Sequence, residues 1–227
     1  MKIQQRLENF KKDVSLGKLS REEIFQKYLI DGIPYFFEEY ISKPEMEGAL
    51  KTEISLAFSV DLHEVITVGS GKLGFSLNPK NLFSEFDSLY STTKLNKDKS
   101  DIDIAVISNS LYEGIGKRMY NYTGAYREKW RSNEYYSEER AKQFPVPICY
   151  KYFEYFTKGW FRPDFKPNGF EFCANGGYED LKRSLYRQIN RRVRIAIYQN
   201  WFYFMDYHVS NIKNLEIKLK TQAYDIR

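Results

Sequence analysis

Two stretches decide how this chain is read: Ile66-Thr67-Val68-Gly69-Ser70 and, downstream, Ser100-Asp101-Ile102-Asp103-Ile104-Ala105-Val106-Ile107. The first is a β-branched run ending in Gly-Ser, a strand delivered into a turn where a phosphate would meet bare backbone N–H groups. The second is a strand whose side chains repeat every two residues. Asp101 and Asp103 therefore share one face, with Ile102 and Ile104 on the other. Two neighbouring carboxylates repel unless a positive group sits between them. A divalent metal is the usual solution, most often Mg²⁺ carrying substrate phosphates, because hard oxygen ligands suit it.

The Gly-Ser strand end followed by Ser100-Asp101-Ile102-Asp103 resembles the signature of the DNA polymerase β-type nucleotidyltransferase superfamily. More closely, the run Val68-Gly69-Ser70-Gly71-Lys72-Leu73-Gly74-Phe75-Ser76-Leu77-Asn78-Pro79, with the later Asp-Ile-Asp, resembles bacterial nucleotidyltransferase-domain proteins of similar length. The resemblance implies an α/β (α+β) fold with a mixed, partly antiparallel sheet, flanked by N-terminal helices and a C-terminal helical region closing over a cleft. It implies that Gly69 and Ser70 hold a nucleoside triphosphate (NTP or dNTP). It further implies that Asp101 and Asp103 bind two Mg²⁺ (or Mn²⁺) ions while a hydroxyl attacks the α-phosphorus and pyrophosphate leaves. Lys72, Arg187, Arg191 and Arg194 are the candidate cations to assist the triphosphate.

The chain departs from this pattern twice. The interval from Ser70 to Asp101 is long, and Asn78 to Lys99 reads as an inserted polar loop, which costs little stability in a surface connection. A third carboxylate is normally supplied by a later strand, and no later segment gives an apolar-acid-apolar strand. Asp164, within Trp160-Phe161-Arg162-Pro163-Asp164-Phe165, is the first candidate, with Glu171 and Asp206 behind it.

At 227 residues the chain suffices for a single domain with a substantial core. Residues 1–60 read as a helical N-terminal segment, 61–110 as the catalytic sheet core, and 111–227 as a helical, aromatic C-terminal part. Aromatic content is 17%, rich in Tyr and Phe, which serves core and groove walls before base stacking. The net charge of +5 suits a polyanionic partner. Cys149 and Cys173 are too few and too far apart for a zinc site or a disulfide framework, and read as buried thiols. With no apolar run near ~18 residues and no signal-peptide pattern, the expectation is a cytoplasmic protein without membrane insertion.

Along the N-terminal part, Ser20-Arg21-Glu22-Glu23 reads as a capping box opening a helix to about Leu29. Pro34 starts another helix carrying Tyr35, Phe36, Phe37 and Tyr40, and Glu45 to Phe58 forms a third, with Leu50, Ile54 and Phe58 on one face. Beyond the sheet core, Leu111 to Gln143 reads as helical and Phe161 to Gly177 as loop. Tyr178 to Asn190 is a helix with Arg183, Arg187 and Arg191 stacked at i, i+4 and i+8, like charges that a polyanion would relieve. Val193 to Tyr198 reads as a strand and Trp201 to Leu219 as a closing helix.

Gly69-Ser70-Gly71-Lys72 is not a Walker A loop: position 66 is Ile and position 73 is Leu, so G-x-x-x-x-G-K-[ST] fails at both ends. His63 and His208 sit in no triad or metal spacing and read as surface or core residues. The functional expectation is metal-dependent nucleotidyl transfer to a hydroxyl on a nucleotide, nucleic acid, protein or small molecule. By analogy with bacterial proteins of this type the setting is phage defence or a toxin–antitoxin pair. The alternative is a catalytically inactive member of the fold that binds nucleic acid or a cognate partner protein through its Tyr- and Arg-rich surfaces.

Overall fold

A computed structural model describes residues 3–130 and 148–224 of the chain. Alternation of β-branched and polar residues builds four strands: β1 (Val65–Val68), β2 (Ile102–Ile107), β3 (Trp160–Phe161) and β4 (Val193–Tyr198). They form one mixed sheet in the order β1-β2-β4-β3. β1 runs antiparallel to β2, β2 parallel to β4, and β3 antiparallel to β4. The protein is therefore of mixed α/β class.

Both faces of the sheet are covered, which explains near-continuous apolar runs in β2 and β4. On one face Ile102, Ile104, Val106, Val193, Ile195 and Ile197 pack with apolar stripes of four helices. These are α3 (Glu45–Phe58), α6 (Asn109–Tyr122), α7 (Ile148–Phe156) and α8 (Tyr178–Ile189). On the other face Val68, Ala105, Ile107 and Tyr198 meet α1 (Ile3–Leu16), α2 (Arg21–Phe25) and α9 (Trp201–Tyr224), through Phe10, Phe25, Phe204 and their neighbours. Among the described residues no helix is long and apolar enough to cross a membrane.

Several helices follow from local signals. The Ser20 hydroxyl accepts from Glu23 N at 3.1 Å while Glu23 accepts from Ser20 N at 2.7 Å, the expected capping box. Leu50, Ile54 and Phe58 are buried on α3, as are Leu181, Leu185 and Ile189 on α8. Other elements differ from expectation. The helix after Pro34 is a single π-helical turn, Phe36–Tyr40, with Phe36 and Phe37 both fully buried. The helix expected over Leu111 to Gln143 starts at Asn109 and stops at Tyr122, because Gly124, Ala125 and Tyr126 all take left-handed backbone (φ 53°, 60° and 66°). Its expected remainder from 131 lies outside the described residues.

The supposed polar insertion at 78–99 has a structural purpose. It carries a short helix, α5 (Ser88–Thr93), preceded by Asp87, which is 1% exposed. The Asp87 carboxylate accepts from Ser100 N at 2.6 Å, Tyr40 Oη at 2.7 Å and the Arg191 guanidinium at 2.6 Å. Its own N–H donates to Ser100 Oγ at 2.9 Å. A buried charge persists only when paired and hydrogen-bonded. This network therefore fixes the starts of β2 and β4 against the N-terminal π turn.

On α9, His208 packs among the rings of Phe25, Phe204 and Tyr207, and its Nε2 is sealed from solvent without a partner. Burial holds its imidazole down at about 4. In the unfolded chain the same group titrates near 6.5, so acid favours unfolding, and the contribution is lost as pH falls from about 6.5 to about 4.

Two measurements check this account. In urea denaturation, Asp87→Ala and Arg191→Ala each lower the unfolding free energy by about 3 kcal/mol, and the double variant loses about 1–3 kcal/mol less than the sum. Replacing His208 by Leu flattens the acid limb: between pH 7 and 4 the wild type loses about 3 kcal/mol more than the variant.

Candidate functional site

The site lies where β1 turns into α4 (Gly69–Leu73) beside the first residues of β2. Val68 and Asp103 are cross-strand partners, so the chain leaving β1 turns directly over the Asp103 side chain. Gly69 makes that turn at φ +68°, and a Cβ there would lie 2.5 Å from Asp103 Oδ2. Only glycine fits, both for its left-handed backbone and for the approach of the carboxylate. Gly71 is tight as well: a Cβ would meet Ile102 at 3.0 Å. Ser70 is half-buried at the head of α4.

Asp103 lies on β2 and Asp101 immediately precedes that strand, and both lie near Arg194. Their surroundings are guanidinium-rich. Asp103 is the register partner of Arg194 on the parallel strand β4. Asp101 accepts from Arg192 Nε at 2.9 Å on one oxygen and pairs with Arg194 Nε at 2.6 Å on the other. The Asp103 carboxylate has no hydrogen bond or ion pair with any described residue. Burial pushes its carboxyl up to about 6, Arg194 opposing the shift and Asp101 adding to it. Arg162, just past β3, is close enough to lower it too.

The remaining expected residues are placed elsewhere. Lys72 is 2% exposed, and its ammonium donates to the carbonyls of Ile30 at 3.1 Å and Gly32 at 2.5 Å. It stands two positions past Ser70, about 200° round the helix, so it ties α4 to the N-terminal layer instead of facing phosphate. Desolvation brings its ammonium down to about 8. Arg191 is spent on Asp87. Asp164 is 64% exposed and pairs with Arg162 at 2.9 Å in the turn after β3. Glu171 accepts from the N–H groups of Phe172, Cys173 and Tyr178, closing the loop that leads into α8. Asp206 is exposed on α9. Arg187 is exposed on α8 and lines a separate groove with Asp101 at its margin.

Sequence reading missed Arg162, Arg192 and Asp87. Arg192 and Arg194 alternate as Asp101 and Asp103 do, but their opposition is visible only once β2 and β4 are known to pair in parallel.

Among the described residues no three acids, histidines or cysteines gather in a metal-holding group. The donor chemistry nevertheless suits a hard divalent cation at Asp103, a desolvated carboxylate lacking a direct partner. Asp101 would ligate only by releasing a guanidinium. No family model, curated protein or solved structure matches this chain.

The Gly69 contact makes a direct prediction. Gly69→Ala forces Asp103 or the turn to move and costs about 1–3 kcal/mol of stability in chemical denaturation, whereas Gly48→Ala, with nothing within 4 Å of its Cβ, costs none.

Proposed function

We propose that this chain is a nucleotidyltransferase, with a sheet of the nucleotidyltransferase type, that joins a nucleoside monophosphate from an NTP or dNTP to an acceptor hydroxyl. The observation that carries the reading is the seating of Gly69 on Asp103. It brings the Gly-Ser turn and the paired aspartates, 34 positions apart in sequence (69 to 103), into one contact. Glycine takes left-handed backbone without steric cost, and its missing Cβ lets the turn close directly onto the carboxylate.

Gly69 and Ser70 would take the triphosphate, the Ser70 hydroxyl offering a donor. Arg192 and Arg194, now folded onto Asp101, would swing to phosphate oxygens as the nucleotide enters, a bidentate exchange that guanidinium geometry favours. Asp103, and Asp101 once released, would hold Mg²⁺ or Mn²⁺. When bound, such an ion neutralises phosphate charge and lowers the pKa of an oxygen nucleophile. In the transfer the acceptor oxygen bonds to the α-phosphorus, and the α–β bridging bond breaks with its electron pair leaving on pyrophosphate. The hydroxyl proton passes to solvent.

A second reading has an observation of its own. The strand beside β2 brings arginine, not a third acid, next to Asp103, and Asp101 is already satisfied by two guanidiniums. That favours a non-catalytic member of the fold that binds nucleic acid or a partner.

Incubation with each α-³²P-labelled NTP and dNTP, with Mg²⁺ or Mn²⁺, separates them. Label appears in a new product, and Asp103→Asn lowers its formation at least about 100-fold while the circular dichroism and melting curve persist. If no label transfers under any condition, yet salt-sensitive nucleic-acid binding is retained in Asp103→Asn, the second reading stands.

A further inference from the structure

A groove of about 520 Å³ runs between the 96–101 segment and α8, and Asp101 forms part of its wall. Its size is that of a small-ligand site, too small for a duplex but enough for a short length of strand. Its lining is strongly basic, with Lys97, Lys99, Lys182, Arg183, Arg187 and Arg192 against only Asp101 and Glu179 among acids, and Arg191 neutralised by Asp87.

These cations differ in what already occupies them. Lys182 pairs with Glu179 at 3.0 Å, Arg183 with Asp180, and Arg192 with Asp101. Lys97 and Arg187 are exposed, Lys99 lies 5.3 Å from the Tyr90 ring centroid, and none of the three has an ion pair among the described residues. Three uncompensated cations thus face one cavity from two elements. On α8, next to Arg187, stands Tyr186, a large aromatic left 44% exposed in the groove wall. Cations spaced along a groove, with an aromatic face among them, match phosphates with an intervening base.

We propose that this groove binds single-stranded nucleic acid, with Lys97, Lys99 and Arg187 on successive phosphates and Tyr186 stacked on a base. Resting on the nucleotidyl-transfer reading, the bound strand would be the acceptor, led by Asp101 toward the Gly69–Asp103 contact. Charge complementarity selects the occupant: an acidic peptide would answer the cations but leave Tyr186 without a flat partner.

Fluorescence anisotropy with short fluorescein-labelled oligoadenylate and oligodeoxyadenylate single strands tests the groove. Three phosphate contacts give a slope of about −2 in log K against log salt. Combined Lys97→Ala/Arg187→Ala weakens binding at least about tenfold and flattens that slope to about −0.7. Tyr186→Ala weakens it about tenfold without altering the slope. Strand binding indifferent to the groove variants overturns the proposal. So does full competition by equimolar ATP, which would make the groove a mononucleotide pocket.

The labelling assay keeps the two readings apart. Binding that obeys the groove variants without any transfer removes the enzyme and keeps the groove. Transfer to strands at an unchanged apparent affinity in the groove variants does the reverse.

Discussion

The buried pair between Asp87 and Arg191 is the constraint on which the rest of this molecule depends. It is made by segments remote in sequence: the insertion before β2, the residue before Arg192, Tyr40 of the N-terminal π turn and Ser100 at the head of β2. Taking two charges out of water is costly unless each is fully met. Here one carboxylate collects a backbone N–H, a phenol and a guanidinium. The geometry leaves little freedom for where residues 100 and 191 can be. Asp101 and Arg192 are the next residues, each leading directly into its strand, so the ionic arrangement of the site is set from beneath by this weld.

The same reasoning explains why the site is electrically biased as it is. β2 and β4 run in parallel, so alternating acids on one strand meet alternating arginines on the other. The guanidiniums lie on Asp101, while the Asp103 carboxylate, tucked under the Gly69 turn, has no such partner among the described residues and is left with a raised pKa. A carboxylate held in that condition favours a proton or a cation, and the arginines beside it favour an anion. A metal–phosphate pair would satisfy both demands at once, which is the physical content of the nucleotidyl-transfer proposal.

The basic groove on α8 shows how tertiary pairing sorts charges that look equivalent in sequence. Arg183 and Arg187 lie on α8, but Arg191, expected to extend their stripe, follows the end of that helix, where Asn190 takes left-handed backbone (φ 50°). Asp180 answers the first and Asp87 the last, leaving Arg187 to face the cavity with Lys97 and Lys99. A stripe that reads as uniform repulsion is in the fold one buried strut, one surface pair and one available cation.

Sequence alone determined the elements whose signal is local. The β-branched runs and their alternation defined β1, β2 and β4, the capping box opened α2, and the spacing of four placed the buried stripes of α3 and α8. It also put Gly69, Asp101 and Asp103 in strand and turn positions, because a period of two and a glycine before a helix are properties of neighbouring residues. What only the tertiary structure decided were the partners. Lys72 looks like a phosphate ligand beside Gly-Ser, yet helical rotation drives it into backbone carbonyls of the N-terminal layer. Asp164, Glu171 and Asp206 look like spare acids, yet one pairs with Arg162, one closes a loop and one is exposed on α9. Asp87 looks like loop filler, yet it is a buried charge held by Ser100, Tyr40 and Arg191. Side-chain chemistry is written in the sequence, but a charge's role depends on what lies across from it, and that is fixed by strand pairing and helix packing over separations no local pattern records.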